Sequence, residues 1–112
     1  MNMQDKMRAV HPGEILREDV LAPLGMSARQ FALALGVPAN RVSQILASER
    51  AVTADTALRL GRLLGSKPDF WLRLQARYDL KTQQGVAGAE IAREVKPLSR
   101  KVLISAGASV DV

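Results

Sequence analysis

A chain of 112 residues and 12.1 kDa has room for one compact domain with a short appendage, and hardly for two. Its 47% apolar content excludes a disordered tail, and a net charge of +5 hints at a polyanionic partner without establishing one. The absence of cysteine excludes disulfides, thiolate metal sites and thiol catalysis, and the single histidine, His11, argues against a His-based metal site, which usually needs two or three; no metal and no cofactor is expected.

The elements predicted in chain order are short helices. The first starts at Pro12, favoured at the first helical position, with Glu14, Glu18 and Asp19 near its positive end. Ile15, Leu16 and Val20 form its apolar stripe. It is expected to stop before Pro23, with Gly25 closing the exit turn. The second opens on Ser27-Ala28-Arg29-Gln30, which fits a capping box, and places Ala28, Phe31, Ala32 and Leu35 on one face. Gly36 supplies a left-handed stop, and Pro38 begins the next helix. That third helix turns Val42, Ile45 and Leu46 inward and displays Asn40, Arg41, Ser43, Gln44 and Ser48.

Thr53 is the N-cap expected for a fourth helix, with Ala57, Leu60, Leu63 and Leu64 inside and Gly65 as its stop. Ser66-Lys67-Pro68-Asp69 resembles another capped start, and the fifth helix holds Phe70, Trp71, Leu74 and Tyr78. Residues 1–80 therefore read as one all-α domain, and 81–112 as a C-terminal extension. In the extension Lys81-Thr82-Gln83-Gln84-Gly85 reads as a linker. Gly88 to Lys96 suits one short helix ended by Pro97, and Val102-Leu103-Ile104 a short strand or a frayed end. Fifteen Leu and sixteen Ala against four aromatics also favour helix packing over a β-sandwich.

Two short helices joined by a turn at Gly36 make a helix-turn-helix arrangement. A major groove of roughly 12 Å admits one helix, and side chains near its start reach base edges. Asn40 and Gln44 suit paired contacts to adenine, Arg41 suits guanine or phosphate, and Ser43 serves either role. Ser27 and Arg29 at the start of the supporting helix, and Arg50 beyond the recognition helix, suit phosphates. No acidic residue lies between Ala39 and Ser48, and residues 27–66 carry +3 (five positive, two negative) whereas 1–26 carry −1 (three and four).

The runs HPGEILREDVLAPLGMS, LGVPANRVSQIL, TADTALRLGRLLG and FWLRLQARYDL together resemble the HigA-type antitoxins of the XRE-like helix-turn-helix family, relatives of virulence-associated protein I. The resemblance covers roughly Val10 to Leu80 in order and spacing. It implies a five-helix, phage-repressor-like domain that dimerises on a palindromic operator in its own promoter. It also implies a partner toxin, HigB, a ribosome-dependent mRNA endonuclease. By position it assigns Ala39, Asn40, Arg41, Ser43 and Gln44 to bases or backbone, and Ser27 and Arg29 to supporting contacts. Two departures from the pattern stand out: Pro38 stands where a capping Ser or Thr is common, and Ala47-Ser48-Glu49-Arg50 replaces an Asn-Gly-Lys-Arg turn.

A five-helix domain cannot bury every apolar residue of its last helix, so Phe70, Trp71, Leu74 and Tyr78 are the expected two-fold interface of a homodimer. His11 with Glu14 reads as a helix opening and not an acid–base pair, and no phosphate loop or nucleophile motif occurs, so no enzyme is expected. No apolar run is long enough for a membrane span and the start lacks a signal-peptide core, which predicts a cytoplasmic protein. Two alternatives stay open: a stand-alone repressor without a toxin, and an interaction module whose DNA binding is vestigial.

Overall fold

The computed structural model describes residues 8–107, among which there are six helices and no strand. By contacts the chain falls into two units, 1–82 and 83–112. Helix α1 (12–24) is continuous but not uniform. It starts as an α-helix over Pro12–Ile15, widens to a π-helix over Leu16–Leu21, and ends as Ala22–Leu24. Its N-cap is His11, whose Nδ1 accepts the Gly13 amide at 2.9 Å. Burial lowers the His11 pKa, against the opposing pull of Asp79, and so favours the neutral ring that this acceptor role requires.

The helix does not stop before Pro23, contrary to the sequence expectation. The Ala22 amide bonds back five residues to the Arg17 carbonyl, so the wide turn lies immediately before the proline. A proline inside an α-helix loses one hydrogen bond and crowds the carbonyl four residues back. The wider turn shifts the bonding register where that crowding would fall, and the helix carries on to Gly25.

Helices α2 (Ala28–Leu35) and α3 (Ala39–Leu46) follow the predicted boundaries. The capping box is complete: Gln30 N donates to Ser27 Oγ at 3.1 Å, and Ser27 N donates to Gln30 Oε1 at 2.9 Å. Gly36, at φ +72°, ends α2, with Val37 N bonded to Ala32 O and Gly36 N to Leu33 O. The same closure ends α3, where Glu49 N reaches Gln44 O at 2.8 Å and Ser48 N reaches Ile45 O at 3.0 Å. There the left-handed residue is Ser48, at φ +62°, and no longer a glycine. A side chain in that region is disfavoured by roughly 1–2 kcal/mol. Ser48→Gly is therefore expected to raise folding stability by about 1 kcal/mol, read as a higher urea midpoint at unchanged slope.

Helix α4 (Ala54–Leu64) begins after Thr53 as expected, but Thr53 makes no side-chain cap. Its hydroxyl lies 3.5 Å from that of Thr56. Helix α5 runs from Pro68 to Glu94, so the stretch read as a linker is helical. Lys81, Thr82 and the two glutamines carry no helix-breaking property, and one glycine costs only about 1 kcal/mol. The helix predicted near Gly88 is thus the end of α5, and Arg100–Ser105 form helix α6 where a strand or frayed end was expected. Ser99 caps α6 through the Val102 amide at 3.0 Å, a local signal that outweighs the β-branched residues beyond it.

The core of the first unit draws Leu16 and Leu21 from α1, Phe31, Ala32 and Leu35 from α2, and Val42 and Ile45 from α3. Val52, Ala57, Leu60 and Trp71 complete it. Leu63, expected inside, is 41% exposed. No helix among the described residues is long and apolar enough to cross a membrane.

Candidate nucleic-acid interface

Helix α3 separates its residues cleanly. Val42 and Ile45 are buried, Leu46 is half-buried, and Ala39, Asn40, Ser43 and Gln44 are exposed on the other side. Its position is fixed from behind by α1. A Cβ added at Gly13 would overlap the Ile45 carbonyl oxygen and come within 2.7 Å of its carbon, so backbone lies against backbone there. Arg17 then donates to the Leu46 carbonyl at 3.0 Å, satisfying one of the carbonyls left over at the end of α3.

The exposed side chains already carry contacts of their own. Ser43 Oγ donates to the Ala39 carbonyl at 3.0 Å, and Arg50 donates to Gln44 Oε1 at 3.1 Å, which brings Arg50 onto the same surface as the recognition helix. The Gln44 amide nitrogen, with its two donors, is not used by that bond. Arg41 is half-buried and pairs with Asp55 at 2.7 Å. Ser27 and Arg29 sit exposed at the start of α2. The capping box takes up the amides of Ser27 and Gln30, while those of Ala28 and Arg29 have no turn above them to bond. Such a helix start suits an anion.

Three residues near this surface escaped the sequence reading. Asp55 was missed because it lies fourteen positions from Arg41, although its spacing to Arg59 is the familiar i, i+4 pairing. Arg59 also donates to the carbonyls of Leu35 and Gly36 at 3.0 and 3.2 Å, clamping the turn between the two helices. The neighbouring arginines hold the Asp55 carboxyl below its usual pKa, the Arg41 hydrogen bond first. Gly13 carried one signal, a glycine kept in the first turn of a helix at a cost in propensity.

The aromatic group divides. Trp71 is 3% exposed, a core residue whose indole donates to Ser66 Oγ at 2.9 Å, so it offers no surface to a second copy. Phe70 is 47% exposed, and Leu74 and Tyr78 are half-buried, with Tyr78 edge-on to His11 at 4.8 Å. The other deeply placed residue of α5 is Gln75, whose side chain accepts the Val52 amide at 2.9 Å and donates to Asp79 at 2.9 Å.

A helix-turn-helix family model matches residues 16–71. Virulence-associated protein I of Dichelobacter nodosus is 50% identical over 78 residues, covering 70% of this chain and 72% of that protein. Antitoxin HigA-1 of Vibrio cholerae serotype O1 is 38% identical over 93 residues, 83% of this chain and 87% of its own length. Among solved structures, Pseudomonas aeruginosa antitoxin HigA with the higBA promoter is 40% identical with a TM-score of 0.80, covering 82% of this chain and all of that one. The family model spans half of the chain, and the relatives and the solved structure each match most of it, so the chain belongs to the XRE-like helix-turn-helix family, among its HigA-type antitoxins.

Proposed function

We propose that this protein is the antitoxin of a toxin–antitoxin pair, a homodimeric repressor that binds a palindromic operator in its own promoter and neutralises a HigB-type mRNA endonuclease. The observation that carries the DNA-binding reading is the exposed face of α3, which has no acidic residue of its own and is held from behind by Gly13 and Arg17. Residues 1–80 form the DNA-binding domain and 81–112 an extension. In this reading Asn40, Arg41, Ser43 and Gln44 meet base edges, with Ala39 offering a methyl contact to thymine. Ser27, Arg29 and Arg50 hold phosphates and set the register. Phe70, Leu74 and Tyr78 contribute to a two-fold contact that spaces two recognition helices one turn of duplex apart. The protein has no catalytic step and acts in the cytoplasm, where its operator lies.

Binding to a duplex taken from its own upstream DNA, compared with a scrambled duplex, tests the reading. Gln44→Ala is expected to cost about 1–3 kcal/mol on the cognate duplex and to relax one base position. Arg29→Ala should weaken both duplexes alike and reduce the salt slope by about one. Equal losses on both duplexes for Gln44→Ala would remove its base-reading role. Stoichiometry in the same titration reports two chains per operator if the dimer is correct.

A further inference from the structure

Helix α3 has no acidic residue of its own, yet a carboxylate reaches its surface from another helix. Asp55, in the first turn of α4, accepts on one oxygen, Oδ2, from Arg41 Nη1 at 2.7 Å and from Arg59 Nε at 2.9 Å. Arg59 in turn donates to the Leu35 and Gly36 carbonyls, at the end of α2 and in the turn that follows it. A continuous path of hydrogen bonds therefore runs from that turn, through α4, to the single cation on the recognition helix.

The ion pairs themselves contribute little stability. Asp55 is more than half exposed, and exposed ion pairs add little. A fixed negative charge here also opposes the approach of any polyanion. What the pair does supply is orientation. One N–H of the Arg41 guanidinium is tied to Asp55, and its other four donors are left in a rigid planar fork.

We propose that Asp55 is a specificity-determining positioning residue, which fixes Arg41 for one base edge and suppresses indiscriminate phosphate binding by cancelling its charge. The proposal rests on the DNA-binding reading above. The same carboxylate thus strengthens one sequence and weakens all others, because a loose Arg41 binds phosphate wherever it meets it.

The test is fluorescence anisotropy with the full chain, on the upstream duplex and on a scrambled duplex of equal composition. In Asp55→Asn the preference for upstream over scrambled DNA should fall about tenfold. Scrambled DNA should bind more tightly and with a steeper salt dependence. Asp55→Ser, which removes the carboxylate without placing an amide donor against Arg41, should show the same fall. In an Arg41→Ala background, Asp55→Asn should change the preference less than about twofold, since the residue it positions is gone. An unchanged preference in both single variants overturns the proposal. So does an equal fall with and without Arg41, which would mark a purely structural role. Failure of the unaltered protein to prefer its upstream duplex would instead overturn the DNA-binding reading, and it is seen before any variant is made.

Discussion

Gly13→Ala is expected to destabilise the protein by about 3 kcal/mol, although alanine is the better helix former by up to about 1 kcal/mol. The reason is contact between backbones. The new methyl would occupy the space of the Ile45 carbonyl oxygen, and neither partner is a side chain that can rotate away. Relief requires the start of α1 to move off the end of α3. That movement also strains the His11 cap and the Arg17 bond to Leu46. Gly85→Ala is the control, because that glycine lies within α5 with open space around its Cα. It should gain about 0.5–1 kcal/mol. Urea unfolding of the two variants gives opposite signs if the close approach exists, and like signs if only propensity acts.

Phe31→Ala should cost about 3–5 kcal/mol. Phe31 is 1% exposed and is among the largest fully buried side chains of the chain. Truncation removes its transfer energy and leaves a cavity bounded by several helices that cannot all close in. Small domains have only about 5–15 kcal/mol in hand, so the melting temperature should fall by roughly 15–30 °C. Leu33→Ala, two residues away on the same helix and 75% exposed, should change stability by less than about 0.5 kcal/mol. If both variants melt alike, the inward face of α2 has been assigned wrongly.

The helix-turn-helix was legible because its signals are local. Ser27 and Gln30 cap one helix, Gly36 ends it, and Val42 and Ile45 give the next its buried side. Each needs only three or four residues to be read. What escaped depends on partners distant in sequence or on sums of weak preferences. The approach of Gly13 to Ile45 spans thirty-two positions, and the Arg41–Asp55 pair fourteen. The passage of α5 through Gly85 reflects many adequate helix formers outweighing one poor one. At Pro23 the rule about proline was sound, but a wide turn just ahead of it provided an escape. Trp71 was grouped with Phe70 by composition, whereas neighbours on one helix point roughly 100° apart and so met core and surface respectively.

The way α3 is held has a consequence for how such proteins diverge. Its anchors are Val42, Ile45, Gly13 and Arg17, and none of them belongs to the set Ala39, Asn40, Ser43 and Gln44 that faces outward. Mutations in the outward set therefore meet little selection for folding, and under the DNA-binding role proposed above selection acts on them chiefly through the operator. After a gene duplication, two copies can drift to different promoters by a few substitutions, each intermediate remaining a folded protein. A genome can thereby accumulate several such operons whose repressors ignore one another's DNA.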